Sequence, residues 1–515
     1  MSKDQDTLDQ PQTTRTPPDT LPISQVLRVL NTISGLLQGT HDNLVKEISG
    51  GVGTLSQEIK AISNGVQSLS QEIRIISNDI KEIKQSIGLI NKHIPVPSGR
   101  RIRCIFLIHH AATWNVFETI FAAMQKADDF EPLVVTIRHV DERFGEKDGV
   151  RNWEEDAHHE LTKLSVPHMR LSMDDSYQGL EIIKTWAPDI LFRQTPYEAF
   201  LPGYQTPALS FTRLCYVSYS FAMPKKLDPA ESVKEGAAAS YHADLYFHRM
   251  CWRIFCETDI HRDMYARAGL RGGDNLVSVG YSKFDSLLES AKNNPPIWPI
   301  KNPDGKKRFR IIWAPHHTVT QGVLGFGMFP DIYKDMLAWA KERPDMEFVL
   351  RPHPMAFGTF VNTGLMSQAD VDAFLTAWDS LPNTAQYGDS EYARLFVASD
   401  VLVTDGVGFF IEYQIFLKPL IFMDSQRHTG FNEAGKLVIQ SANRVTDVAG
   451  ARALCDCLQQ GNPDPMRELQ KKNMSIILPY PGQSGARILD VIRAGLAQER
   501  GEHIEDEKLV PIRMY

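Results

Sequence analysis

The chain has no apolar run long enough to cross a membrane. A spanning helix takes about eighteen or more consecutive apolar residues, and none occurs in these 515 residues. Contact with a bilayer would therefore be peripheral. Cysteine is scarce: the six residues Cys104, Cys215, Cys251, Cys256, Cys455 and Cys457 show neither zinc spacing nor a disulfide framework. That argues for a reduced, cytoplasmic setting. The N-terminus has no apolar core of the kind a signal peptide needs. Its residues 1–21 are polar and Pro-rich, with almost nothing to bury, and read as a disordered tail. Basic charge is not in excess either. The formal net charge is −8, so nothing points to nucleic acid. With 43% hydrophobic and 23% charged residues the chain reads as soluble and globular. Its length exceeds what one core usually serves and predicts two or three domains.

What is there begins with a heptad pattern. Val52, Ile59, Val66, Ile73, Ile80 and Ile87 occupy a positions, and Leu55, Ile62, Leu69, Ile76, Ile83 and Ile90 occupy d positions. A fourteen-residue repeat starts at Gly51 and again at Gly65. So narrow and regular a seam predicts a coiled coil. The β-branched a positions and the later Ile d positions favour a trimer or tetramer, with a dimer possible. The e positions Ser56, Ser63, Ser70 and Ser77 fix the partner only weakly. Leu27, Leu30, Ile33 and Leu37 suggest a further helix upstream, which Gly50, Gly51 and Gly53 are expected to break from the seam.

Past a two-proline linker at residues 93–99 the texture turns to alternating strands and helices. Apolar runs at 102–108, 133–137, 190–192, 216–217, 252–256 and 277–279 read as strands. A turn-rich stretch at 290–307 follows, and a second series at 309–313, 347–350, 401–403 and 420–423. Such alternation implies parallel sheets. The reading is α/β, with two Rossmann-like domains facing a cleft behind an N-terminal coiled coil. Its boundaries are 1–21 tail, 22–93 oligomerisation segment, 94–292 acceptor domain, 293–482 nucleotide-donor domain, and 483–515 a crossing helix and tail.

Ligands of such sheets bind at the carboxyl ends of strands, and those ends carry the chemistry. Strand 102–108 ends in His109-His110. Strand 309–313 ends in Ala314-Pro315-His316-His317-Thr318. Strand 347–350 ends in Arg351-Pro352-His353-Pro354, and strand 401–403 in Thr404-Asp405-Gly406. The last runs through Gly406 and Gly408 into a helix, whose free N–H groups and dipole suit a diphosphate. Glu412, one turn in, is placed for ribose hydroxyls. Arg351 offers a forked pair of donors to phosphate. Histidine serves as base or anion partner. Three other features carry less. Asp370-Val371-Asp372 imitates a metal-binding triplet but falls in a polar helical stretch. His158-His159 reads as a solvated face. Arg193 and Tyr197 are candidates for the acceptor side or for plain packing.

Four patterns, in order, resemble those of the CDP-glycerol glycerophosphotransferase family of teichoic-acid-like polymer synthesis. They are Gly280-Tyr281-Ser282-Lys283-Phe284-Asp285, Trp313-Ala314-Pro315, Arg351-Pro352-His353-Pro354, and the block from Ser399-Asp400 through Thr404-Asp405 and Glu412-Tyr413 to Lys418-Pro419. The resemblance implies a GT-B fold, a CDP-activated donor in the C-terminal domain and transfer without an essential metal or other cofactor. It places His353 on the donor phosphates and Glu412 at the ribose. The sequence departs from the family at Gly406, Val407 and Gly408, where a Tyr and paired serines are usual, and at His317-Thr318, where Trp-Arg is usual.

The expected activity is transfer of a polyol phosphate from a CDP-activated donor to a hydroxyl of a glycan or teichoic-acid-like polymer. His109, His110 and His353 are the catalytic candidates. His316, Arg351, Thr404, Asp405, Gly406, Gly408 and Glu412 are the donor-binding candidates, with no metal ligand among them. The alternatives are a nucleotide-sugar GT-B glycosyltransferase, a GT-B nucleotide-sugar 2-epimerase, or a scaffold that has lost catalysis.

Overall fold

The computed structural model describes residues 22–92, 94–138, 153–198, 200–225, 244–302, 304–319, 324–389 and 391–502. The expected tails at 1–21 and beyond 502 lie outside them. The chain divides into two compact units, residues 1–81 and 82–515.

The first unit is dominated by one helix, α1 (Ile23–Lys92), 70 residues long. It runs unbroken through Gly50, Gly51 and Gly53, which corrects the expected break. A helical Gly costs about 1 kcal/mol relative to Ala, and long helical flanks on both sides outweigh three such costs because propagation needs no new nucleus. The heptad seam is bare in the single chain: Val52, Leu55, Ile59, Ile62, Val66, Leu69, Ile73, Ile76, Ile80 and Ile83 are each 46–67% exposed.

The second unit holds two sheets in which every strand pair is parallel. The first comprises β1 (Ile102–Ile108), β2 (Phe130–Ile137), β3 (His168–Leu171), β4 (Ile190–Arg193), β5 (Arg213–Val217), β6 (Cys251–Cys256) and β7 (Leu276–Ser278), in the order β3-β2-β1-β4-β5-β6-β7. The second comprises β8 (Phe309–Ala314), β9 (Met346–Leu350), β10 (Thr384–Gln386), β11 (Val401–Thr404), β12 (Leu420–Met423) and β13 (Asn443–Val445), in the order β10-β9-β8-β11-β12-β13. Central strands such as β9, β11 and β12 are buried along their whole length. This is why they stood out as apolar runs. The edge strands β3, β10 and β13 have mixed burial and three or four residues each. They carry no such run and were not legible.

In each sheet the strand order reverses once, between β1 and β4 and between β8 and β11. The carboxyl ends flanking these reversals form the crevices where α/β sheets bind ligands. Helix α2 (Ser282–Asn293) follows β7 through Gly280, whose φ of +91° is a left-handed value. A Cβ there would also lie 2.7 Å from Ser484 Oγ. Helix α3 (Val407–Gln414) follows β11, and α4 (Ser484–Glu499) returns to the first sheet. The return is cemented by Ile488, Leu489, Val491, Ile492 and Leu496 in the first sheet's core. At its end the Glu499 carboxylate accepts from Trp252 Nε1 at 2.8 Å and pairs with Arg213. The plan is the expected α/β GT-B architecture. No helix among the described residues is long and apolar enough to cross a membrane.

Candidate active site

The site is assembled at the carboxyl ends of β8, β9 and β11. The main-chain N–H of His353 donates to Pro315 O at 2.9 Å, and that of Arg351 to Trp313 O at 2.8 Å. These bonds carry the sheet register one step past β8 and β9. They set His316, His317 and His353 side by side. Ring centroids are 4.5 Å apart for His316–His317, 5.1 Å for His316–His353 and 4.1 Å for His317–His353. One ring nitrogen from each lies within 4.8 Å of the other two. Burial makes the charged form costly. It drives His316 well below the usual imidazole range, His317 down to about 4 and His353 down to about 3. The three are neutral imidazoles at pH 7.

Two expected phosphate contacts have other partners. Thr404 Oγ1 donates to Ala314 O at 2.6 Å and accepts from Gly406 N at 2.9 Å. The Asp405 carboxylate accepts from His316 N and from Met328 N, each at 2.6 Å. Both residues are buried. They are positioning residues, and Asp405 pins the β8 end to the 324–328 segment. Gly406 is where it is because His316 is there: a Cβ would meet His316 Cδ2 at 3.2 Å. Gly406 caps α3 with no side-chain bond, and Gly408 borders open space. The helix N-terminus is therefore left open, with no side chain capping its first N–H groups.

Arg351 stands beside it, its guanidinium 5.0 Å from the Tyr392 ring, 5.4 Å from Phe409 and 5.7 Å from Tyr387. Its Nε is buried with no hydrogen-bond partner among the described residues. Glu412 is held from two sides. Lys283 Nζ on α2 pairs with Oε1 at 2.5 Å, and Tyr392 OH donates to Oε2 at 2.6 Å. Lys283 and Tyr392 were not singled out from the sequence. Lys283 was visible within its motif, whereas Tyr392 carried no signal of its own.

On the first sheet the two histidines after β1 separate. His109 is 7% exposed and sets its ring edge-on to Phe200, centroids 5.1 Å apart. His110 lies near enough to His353 for its charge to depress that ring further. Of the pair, His110 is the one whose charge is felt at a donor-side residue. Arg193 is 1% exposed, stacked between Phe200 and Phe247 at 4.4 and 4.3 Å, and donates to Tyr197 O. It belongs to the core and not to an acceptor surface. Asp370 caps its own helix, accepting from Ser367 Oγ at 2.7 Å. His158 bonds His168 at 2.8 Å.

The family model of CDP-glycerol:poly(glycerophosphate) glycerophosphotransferase matches residues 229–430. The match takes in 202 of the 515 residues and makes this segment similar to that family. Among solved structures it is similar to the UDP-GlcNAc 2-epimerase of Neisseria meningitidis bound to UDP-GlcNAc, with TM-score 0.50, 12% identity, 76% of this chain and 100% of that one covered. It is similar to S. aureus MnaA with UDP, with TM-score 0.50, 14% identity and coverage of 79% and 99%. Likeness to the wall teichoic acid polymerase TagF reaches TM-score 0.47 at 12% identity, over 85% of this chain and 99% of that one. At such identities the structures speak for the fold alone. No curated protein matches the chain. The family's match covers β8, β9, β11 and β12, and so contains every donor-side candidate from His316 to Glu412.

Proposed function

We propose that the protein is a transferase that moves glycerol phosphate from CDP-glycerol to a terminal hydroxyl of a glycerophosphate-type polymer, with CMP leaving. The observation that carries the residue roles is the meeting of Arg351, His353 and the bare N-terminus of α3 at one crevice. His353 is neutral, and its Nδ1 accepts from Met355 N at 3.2 Å. That leaves the proton on Nε2, ready to donate to a diphosphate oxygen. The unpartnered Nε of Arg351 and the α3 dipole meet the rest of the charge, which grows on the CMP oxygen as the β-phosphorus bond breaks. Acceptor activation is assigned to His110. Its imidazole takes the acceptor proton as the hydroxyl oxygen attacks the β-phosphorus. Glu412 awaits the ribose once Lys283 and Tyr392 share it with the ligand.

The test is product formation by the purified chain from CDP-glycerol and a glycerophosphate oligomer. CMP release that depends on the oligomer supports the reading. CMP release unaffected by it, or turnover of UDP-GlcNAc to its 2-epimer, refutes it. Glu412→Gln is expected to weaken the melting-temperature rise produced by CDP. A ligand that binds only the folded state stabilises it by mass action, and a neutral amide is a poorer acceptor for ribose hydroxyls.

The bare seam of α1 is read as the contact between copies of this chain, three or four in number. The fourteen-residue repeat and the Ile-rich a and d positions support that occupant over any other. A doubly substituted chain, Ile59→Lys with Ile73→Lys, should run as a monomer in light scattering. An unchanged mass would end the proposal.

A further inference from the structure

The His316–His317–His353 cluster has a second capacity, and we infer that it is a binding site for a borderline divalent cation of the zinc, cobalt or nickel kind. Three imidazoles leave one tetrahedral position open. That position points the cation at the crevice where the donor diphosphate is proposed to lie.

Three observations support this. First, the ring nitrogens already lie within 4.8 Å of one another. Ligands on a tetrahedral cation with bonds of about 2.1 Å stand about 3.4 Å apart, so modest ring rotations close the set. Second, His317 Nδ1 is buried and has no hydrogen-bond partner among the described residues. An unpaired buried nitrogen is costly unless something else takes it up. Third, His316 Nδ1 lies 2.8 Å from Thr318 Oγ1. A hydroxyl on the far nitrogen fixes the ring with Nε2 toward the cluster, as outer partners of metal-bound imidazoles do.

The donor set also limits the ion. Three nitrogens with no carboxylate suit zinc, cobalt or nickel and not magnesium, which demands oxygen. Among the described residues this is the one group of His, Cys, Asp and Glu with such spacing. Loading requires two like rearrangements. In His316 and in His353 the proton passes from Nε2 to Nδ1, and the contacts from Thr318 N at 3.3 Å and Met355 N at 3.2 Å open. The cation then presents positive charge where the Nε2 protons had been. Its use in transfer rests on the proposed function, but its binding does not.

The experiment uses the full chain, stripped with chelator and titrated without nucleotide. Co²⁺ is followed by its visible absorption, Zn²⁺ by calorimetry, and Mg²⁺ serves as the contrast. The expected result is saturation at one Co²⁺ or Zn²⁺ per chain, with tetrahedral cobalt absorption and no comparable uptake of Mg²⁺. His317→Ala should abolish uptake. Thr318→Val, which leaves all three rings in place, should weaken it about 10- to 100-fold. Melting curves establish that each variant is folded. Uptake that is unsaturable, equal for Mg²⁺, or unchanged in both variants overturns the site. A CDP-induced rise in melting temperature, measured separately in chelator, reports on the donor site alone. Loss of one reading is thereby distinguished from loss of the other.

Discussion

His353→Ala should lower kcat for transfer from CDP-glycerol by about 10²- to 10³-fold, the usual effect of removing one preorganised donor from developing charge. The structure makes this substitution interpretable. The turn after β9 is fixed by main-chain bonds, Arg351 N to Trp313 O and His353 N to Pro315 O, which do not involve the imidazole. The ring is partly open to the crevice. Its loss should leave the fold, and CDP binding through α3 and Arg351, largely in place. The effect belongs in kcat more than in KM, because the bond to the leaving oxygen strengthens as charge develops. A variant with kcat close to the parent would remove His353 from the chemistry. His109→Ala is the useful contrast. That ring packs on Phe200, so its loss should register in stability before activity.

Asp405→Ala should destabilise the protein by about 2–6 kcal/mol. The estimate comes from two buried main-chain donors, His316 N and Met328 N, left without an acceptor at about 1–3 kcal/mol each. Denaturant or thermal unfolding measures it, and an effect below about 1 kcal/mol would mean that these bonds contribute only an ordinary net amount. The residue also has a pH signature. Burial pushes its carboxyl up to about 7, against the pull of the two N–H bonds. An acid raised in the folded state gives stability that is present below its unfolded pKa, near 3.9, and lost as pH rises through about 7. The neighbouring histidines act in the opposite sense. His317 is lowered to about 4 and His353 to about 3. Their contribution is present above the unfolded value near 6.5 and lost as pH falls through those lowered values. His316, lowered as well, adds to the loss. Metal-free parent protein should therefore become less stable from neutral pH toward about pH 4, as buried neutral histidines are forced to charge. His317→Gln should flatten that slope, and Asp405→Asn should steepen it by removing the opposing term. A melting temperature that does not respond to either substitution across this range would show that the cluster is solvated.

How much of this could be read from the chain depended on how local the cause was. The seam of α1, the central strands and the glycine turn into α3 are patterns of period, burial and turn chemistry, and these act over a few residues. They were legible down to the strand ends that carry His110, His316, Arg351, His353 and Gly406. Of the edge strands, β7 was legible through the apolar Val277 and Val279, but β3, β10 and β13 were not, because a strand of three or four residues of mixed burial has no run to see. The continuity of α1 through Gly50, Gly51 and Gly53 was also missed. A local helix penalty was read there, while helix propagation along the flanks decided the outcome.

The sequence by itself determined the two parallel sheets, the family motifs and the residue types at the crevice, since alternation and strand-end chemistry follow from order along the chain. Tertiary structure alone decided which of those residues are free to act. Asp405 and Thr404 are closed off because main-chain groups from β8 and from the 324–328 segment reach them first. Lys283 and Tyr392 meet Glu412 only because α2 and residue 392 pack against α3. The three histidines form one cluster because β8 and β9 are in register, a pairing between segments more than thirty residues apart. Hydrogen-bond competition and strand register act through space between distant segments, so no local pattern in the chain could report them.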